Sequence, residues 1–149
     1  MGRLRLRLCL IATAVAVLVA CSGPKAPDAA ALEANATARI LALPEASPEK
    51  YRSPDARKSW RNPYLIIRPD GVGLLDPDNH LEHLLKPAEL TQALGNLTPS
   101  AWPYGRVVAV TESGVKGSAA DEVRIRTNRA IVAGTLQSLH VLINWIPSA

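Results

Sequence analysis

Asp76, Asp78, His80, Glu82 and His83 fall within eight residues, and neutral imidazoles with carboxylates are the groups that hold Zn²⁺. His80 and His83, three apart, would share one face of a helix. The run lacks the glycine and closing glutamate of a calcium loop, and no distant ligand pattern supports zinc. Solvated loop and cap charges are therefore expected here, and no metal is assigned. Gly114-Val115-Lys116-Gly117-Ser118 lies between an expected strand and an expected helix start, where free backbone amides favour an anion. Its spacing fails the nucleotide-binding consensus, so the competing reading is a plain connection. His140 has no serine or acid beside it in a local motif, and no nucleophile elbow is present. Trp102 and Tyr104 stand in a proline-containing loop, a setting that suits either a cover for the core or an anchor for a partner. These residues give no catalytic constellation. A non-enzymatic chain without a cofactor is expected, and a hydrolase using His140 or the acidic cluster is the outlying alternative.

What must position these residues begins with an address. Arg3, Arg5 and Arg7 precede an uninterrupted apolar stretch over residues 8–20, the plan of a secretory signal. At 13 residues the stretch is shorter than the roughly 20 that span a bilayer. It ends at Leu18-Val19-Ala20-Cys21, which resembles the lipobox of bacterial lipoproteins. That resemblance implies cleavage before Cys21, acylation of Cys21, and attachment to a membrane through its acyl chains; the alternative is a cleaved secretory peptide without lipid. Ser22 stands where the inner-membrane retention signal would be Asp, so the periplasmic face of the outer membrane is the expected location. Taking the three leader arginines from the 17 basic residues leaves 14 against 13 acidic ones. That balance removes the electrostatic case for nucleic-acid binding which the pI of 9.4 would otherwise make. Cys9 leaves with the leader and Cys21 is blocked, so no disulfide is expected in spite of an oxidising compartment.

The rest divides into a tether over 21–28, an amphipathic helix with a polar linker over 29–63, and a compact domain over 64–149. Asp28 is placed to cap a helix over 29–43, with Leu32, Ala36, Ile40 and Leu43 as its apolar stripe. Residues 44–63 are polar and proline-punctuated, with Ser47-Pro48 and Ser53-Pro54 each able to start a helical turn. This segment reads as a partner-binding strap that orders on contact, or as a mobile spacer. A strand at 64–68 (YLIIR), a turn at Pro69-Asp70-Gly71 and a strand at 72–75 form a hairpin. Asp78 would cap a short helical turn through Leu81, Leu84 and Leu85. Pro87 opens the next helix, with Leu90, Leu94 and Leu97 on one face. Residues 106–111 (RVVAVT) make a strand buried on both faces. Ser118 and Asp121 form a capping box for a long helix to about Leu139, whose buried side would be Val123, Ala130, Ile131, Gly134 and Leu139. A strand at 123–127 is the competing assignment. The last strand covers 141–146. The fold class that follows is α/β, a two-layer sandwich of about four strands with two helices on one face.

The hairpin at Asp70-Gly71, Pro87-x-Glu89-Leu90 opening a helix, the valine strand, the long helix and the strand after Leu139-His140 together resemble the periplasmic domain of the ExbD/TolR family over residues 64–146. That family carries a spanning helix with an acidic residue coupled to a proton-driven motor. The leader here has no Asp or Glu and ends in the lipobox, so the resemblance implies envelope binding without motor coupling. Thr111-Glu112-Ser113 and Arg129-Ala130 resemble the OmpA-like peptidoglycan-binding domain, which implies that Glu112 would hold an ammonium and Arg129 a carboxylate of a stem peptide. Glu112 replaces the family's Asp, the spacing is stretched and the chain ends early; the alternative is two solvated charges. The expected function is a lipid-anchored lipoprotein binding an envelope protein or peptidoglycan, with Glu112, Arg129, Trp102 and Tyr104 as candidate contacts. An inhibitor or immunity lipoprotein masking a secreted toxin is the alternative. Cys21→Ser is expected to abolish incorporation of labelled fatty acid; equal labelling of the variant would contradict the lipobox.

Overall fold

The computed structural model describes residues 28–147 except 54, 56–57, 78, 80 and 115–116. The leader, Cys21 and the tether up to residue 27 lie outside the described residues. The chain is an α/β protein built on one five-stranded mixed sheet of order β3-β2-β1-β4-β5. Strands β1 (Tyr64–Arg68) and β2 (Gly71–Leu75) form the expected hairpin, with Arg68 opposite Gly71 across the Pro69-Asp70 turn. Strands β4 (Val107–Glu112) and β5 (Leu142–Trp145) add in parallel on the other side of β1. Alternation along β1, β2 and β4 puts Leu65, Ile67, Val72, Leu74, Val108 and Val110 on the side where the helices pack.

Residues 82–85, expected to be helical, are instead β3 (Glu82–Leu85), paired antiparallel with β2 from Val72–Leu85 to Leu75–Glu82. The leucine spacing is helical, but the open edge of β2 offers a ladder that four residues can satisfy at once. Asn79 sets the reversal: its Oδ1 accepts from the Leu81 N–H at 2.8 Å, and its amide nitrogen donates to Asp76 at 2.9 Å. A four-strand sheet therefore becomes a five-strand one.

Helix α1 (Ala29–Leu41) starts at Asp28, whose carboxylate accepts from the Ala30 N–H. Ala36 and Ile40 are buried as expected, whereas Leu32 is exposed. Ile40 belongs to the main core cluster, so this helix and the sheet share one interior. A short α2 (Pro48–Tyr51) follows, with Ser47 at its N-cap position. After a 3-10 turn (Pro87–Glu89), in which the Glu89 carboxylate accepts from the Lys86 N–H, α3 (Leu90–Asn96) buries Leu90 and Leu94. A β-carbon on Gly95 would lie 2.7 Å from the Cα of Ala36, so only glycine allows α1 and α3 to meet there.

The capping box is present: the Asp121 N–H donates to the Ser118 hydroxyl, the Ser118 N–H donates to the Asp121 carboxylate, and α4 runs over Ala119–Ser138. Its buried side differs from the expected one. Leu139 is buried as expected, but with Val132 and Leu136, whereas Val123 is 56% and Ile131 43% exposed, and Ala130 and Gly134 are exposed too. Apolar residues occupy two faces of this helix, so periodicity alone does not choose. Asn128 fixes the rotation by donating to the Arg68 carbonyl at 2.7 Å. The helix closes with His140 at φ 54°, its N–H on the Gln137 carbonyl and that of Val141 on the Leu136 carbonyl, a Schellman ending that delivers the chain into β5.

The described residues between 44 and 62 cover the sheet face away from α3 and α4. Val107, whose side chain alternates with that of Val108, packs there with Tyr51, Tyr104, Ala46 and Trp60. Three aromatic rings lie 5.3–6.3 Å apart in tilted and edge-on pairs. Asn62, 2% exposed, donates to the Gly105 and Val107 carbonyls at 2.8 and 2.7 Å and accepts from the Tyr104 N–H at 2.9 Å. Gly105 takes φ 78°, and a β-carbon there would collide with the Glu45 carbonyl.

Candidate functional site

Glu112 at the end of β4 and Arg129 on α4 come together. Arg129 Nη1 lies 2.8 Å from Glu112 Oε1, and its guanidinium carbon sits 4.4 Å from the centre of the Trp145 ring on β5. Both charged side chains remain partly open to water. Each charge is thus answered within the chain rather than held open for a zwitterion, and a ligand bound by both would have to part them. A solvent-exposed ion pair is worth about 0–1 kcal/mol and an exposed cation–π contact about 0.5–1 kcal/mol, so parting them is energetically modest.

Trp102 and Tyr104 are both interior, Trp102 in the main core and Tyr104 in the aromatic cluster under residues 44–62. Tyr104 Oη donates to the Ser59 carbonyl at 3.3 Å. Of the two readings open for this loop, the structure shows core cover.

The acidic and histidine run is described only in part. His83 and Glu82 are on exposed β3, where Glu82 pairs with Arg68 at 2.7 Å; Asp78 and His80 lie outside the described residues. His83 therefore lies on a strand and not on the expected helical turn. Among the described residues no three His, Cys, Asp or Glu side chains group as metal ligands.

The loop over 114–118 lies partly outside the described residues. At its described end, the Ser118 N–H and hydroxyl both donate to Asp121 Oδ2 at 2.8 Å, and Arg124 reaches Oδ1 at 2.6 Å. The helix start therefore carries its own anion. Arg124 first, then the Ser118 amide and hydroxyl, hold the Asp121 carboxyl down to about 2. His140 is exposed and serves as the left-handed terminus of α4.

The sequence did not reveal β5 as a surface. It ends the sheet; the Leu142 and Ile146 N–H groups donate to the Arg106 and Val110 carbonyls, which leaves those of Ile143 and Trp145 on the open side. Leu142 is 53% and Trp145 42% exposed. Ala133, Gln137, His140, Val141, Leu142 and Ile143 line an open cleft of about 480 Å³ beside it. A terminal strand with large exposed side chains was hidden because its pattern equals that of a buried one. Arg106 was also missed: its side chain is mostly buried, its Nε has no hydrogen-bond partner among the described residues, and Glu45 is 3.8 Å away.

No protein family, no curated protein and no solved structure matches the chain. No helix among the described residues is long and apolar enough to cross a membrane.

Because the folded value of Asp121 lies below its ordinary 3.8, ionisation favours the fold. Its contribution is complete above about pH 4 and is lost as pH falls through about 2. Asp121→Asn is expected to flatten the acid limb of stability between those limits, read as urea midpoint against pH. An unchanged limb would contradict the cap.

Proposed function

We propose that the protein is a lipid-anchored lipoprotein of the bacterial envelope, non-enzymatic, whose α/β domain binds another envelope protein along β5. The observation that carries this reading is the open β5 edge with Leu142 and Trp145 exposed beside a cleft. Unpaired strand edges attract extended partners, and proteins ordinarily blunt them with charge, proline or a covering element. Within β5 itself none of the four residues is charged or proline. The lipobox at Cys21 supports the membrane attachment, with the periplasmic face of the outer membrane as the location. The Glu112–Arg129 pair favours a protein over peptidoglycan, since the two charges satisfy each other.

Photo-crosslinking in intact cells tests this. Benzoylphenylalanine at position 142 is expected to give one discrete cross-linked protein, weakened several-fold by Trp145→Ala. The same probe at Leu32, exposed on α1, is expected to give none. Equal products from both positions, or none from 142, would contradict the β5 surface.

A further inference from the structure

We propose that the groove between the last turn of α1 and α3 binds a free fatty acid, a single apolar chain with an anionic head. This goes beyond the protein partner at β5 and uses a different part of the molecule. The helices touch at Ala36 and Gly95, and past that contact a groove of about 450 Å³ opens, lined by Ile40, Leu43, Leu94, Leu97 and Trp102, with Arg39 among its walls. That volume is in the range of small-molecule sites, about 300–1,000 Å³, and such sites combine an apolar body with few polar groups. Both kinds of group are present. Arg39 is exposed and has no carboxylate within 4 Å among the described residues. Trp102 is 3% exposed.

Charge complementarity selects the occupant. A guanidinium beside an apolar wall binds a carboxylate head through charge-assisted hydrogen bonds while the chain lies on the aliphatic floor. The protein's own acyl chains on Cys21 would be ester- and amide-linked and would carry no such head, so Arg39 favours the free acid.

The test uses the full chain in membranes, a diazirine-bearing fatty acid, and the methyl ester of the same probe. Irradiation and peptide mapping are expected to place the acid's adducts on residues 40–44 and 97–102, with about tenfold less labelling by the ester. Ala42 is exposed and lines the groove, so Ala42→Trp fills the space without touching the core and is expected to remove most of the labelling. Arg39→Glu is expected to lower labelling by the acid to that of the ester, and Arg39→Lys to retain part of it. Thermal melting checks that each variant folds. Equal labelling by acid and ester, or labelling unchanged in Ala42→Trp, would overturn the site.

Discussion

Asn62 donates twice and accepts once, and all three partners are backbone groups within residues 104–107. Strands β1 and β4 run parallel, so no hairpin turn sets their register. The amide does so from the residue that precedes Pro63, whose carbonyl then accepts from the Ala109 N–H. Because the site is buried, each of these backbone groups would cost about 1–3 kcal/mol if left without a partner. One side chain therefore fixes where β4 begins, and with it the positions of β5 and α4 that follow.

The same clamp binds the segment before the sheet. Pro44 and Ser47 exchange backbone hydrogen bonds with Arg106 and Tyr104 at 2.9 Å, a pairing that needs the left-handed Gly105 and its close approach to Glu45. Tyr51 and Trp60 then close over Val107 and Tyr104. The described residues between 44 and 62 thereby become the cover of the second sheet face. The edge at β5 stays open beyond them, and the groove between α1 and α3 is lined by a different set of residues.

Much of this was legible where local chemistry is decisive. YLIIR followed by Pro-Asp-Gly names a hairpin, Ser118 with Asp121 names a helix start, and a run of valines names a buried strand. Elements whose conformation is settled by a neighbour were not legible. Glu82–Leu85 is a strand because β2 lacks a partner, and the rotation of α4 depends on a bond from Asn128 to a carbonyl sixty residues away. For the candidate contacts, the juxtaposition of Glu112 with Arg129 was readable as a pair but not as a closed one. The burial of Tyr104 required the packing of Tyr51 and Trp60 from a segment that composition alone presents as polar linker, and that of Trp102 required the main core to close.

That one buried amide unites strap and sheet is the central claim, and native-state hydrogen exchange of the full chain tests it most directly. The N–H groups of Ser47, Tyr104 and Arg106 report the strap and its clamp, and that of Val108 reports the central sheet. A single cooperative unit predicts opening free energies for all four that agree to within about 1 kcal/mol and fall together when denaturant is added. Rapid exchange at Ser47, Tyr104 and Arg106 while Val108 stays protected would contradict it, and would make residues 44–62 a separate segment resting on an independently stable sheet.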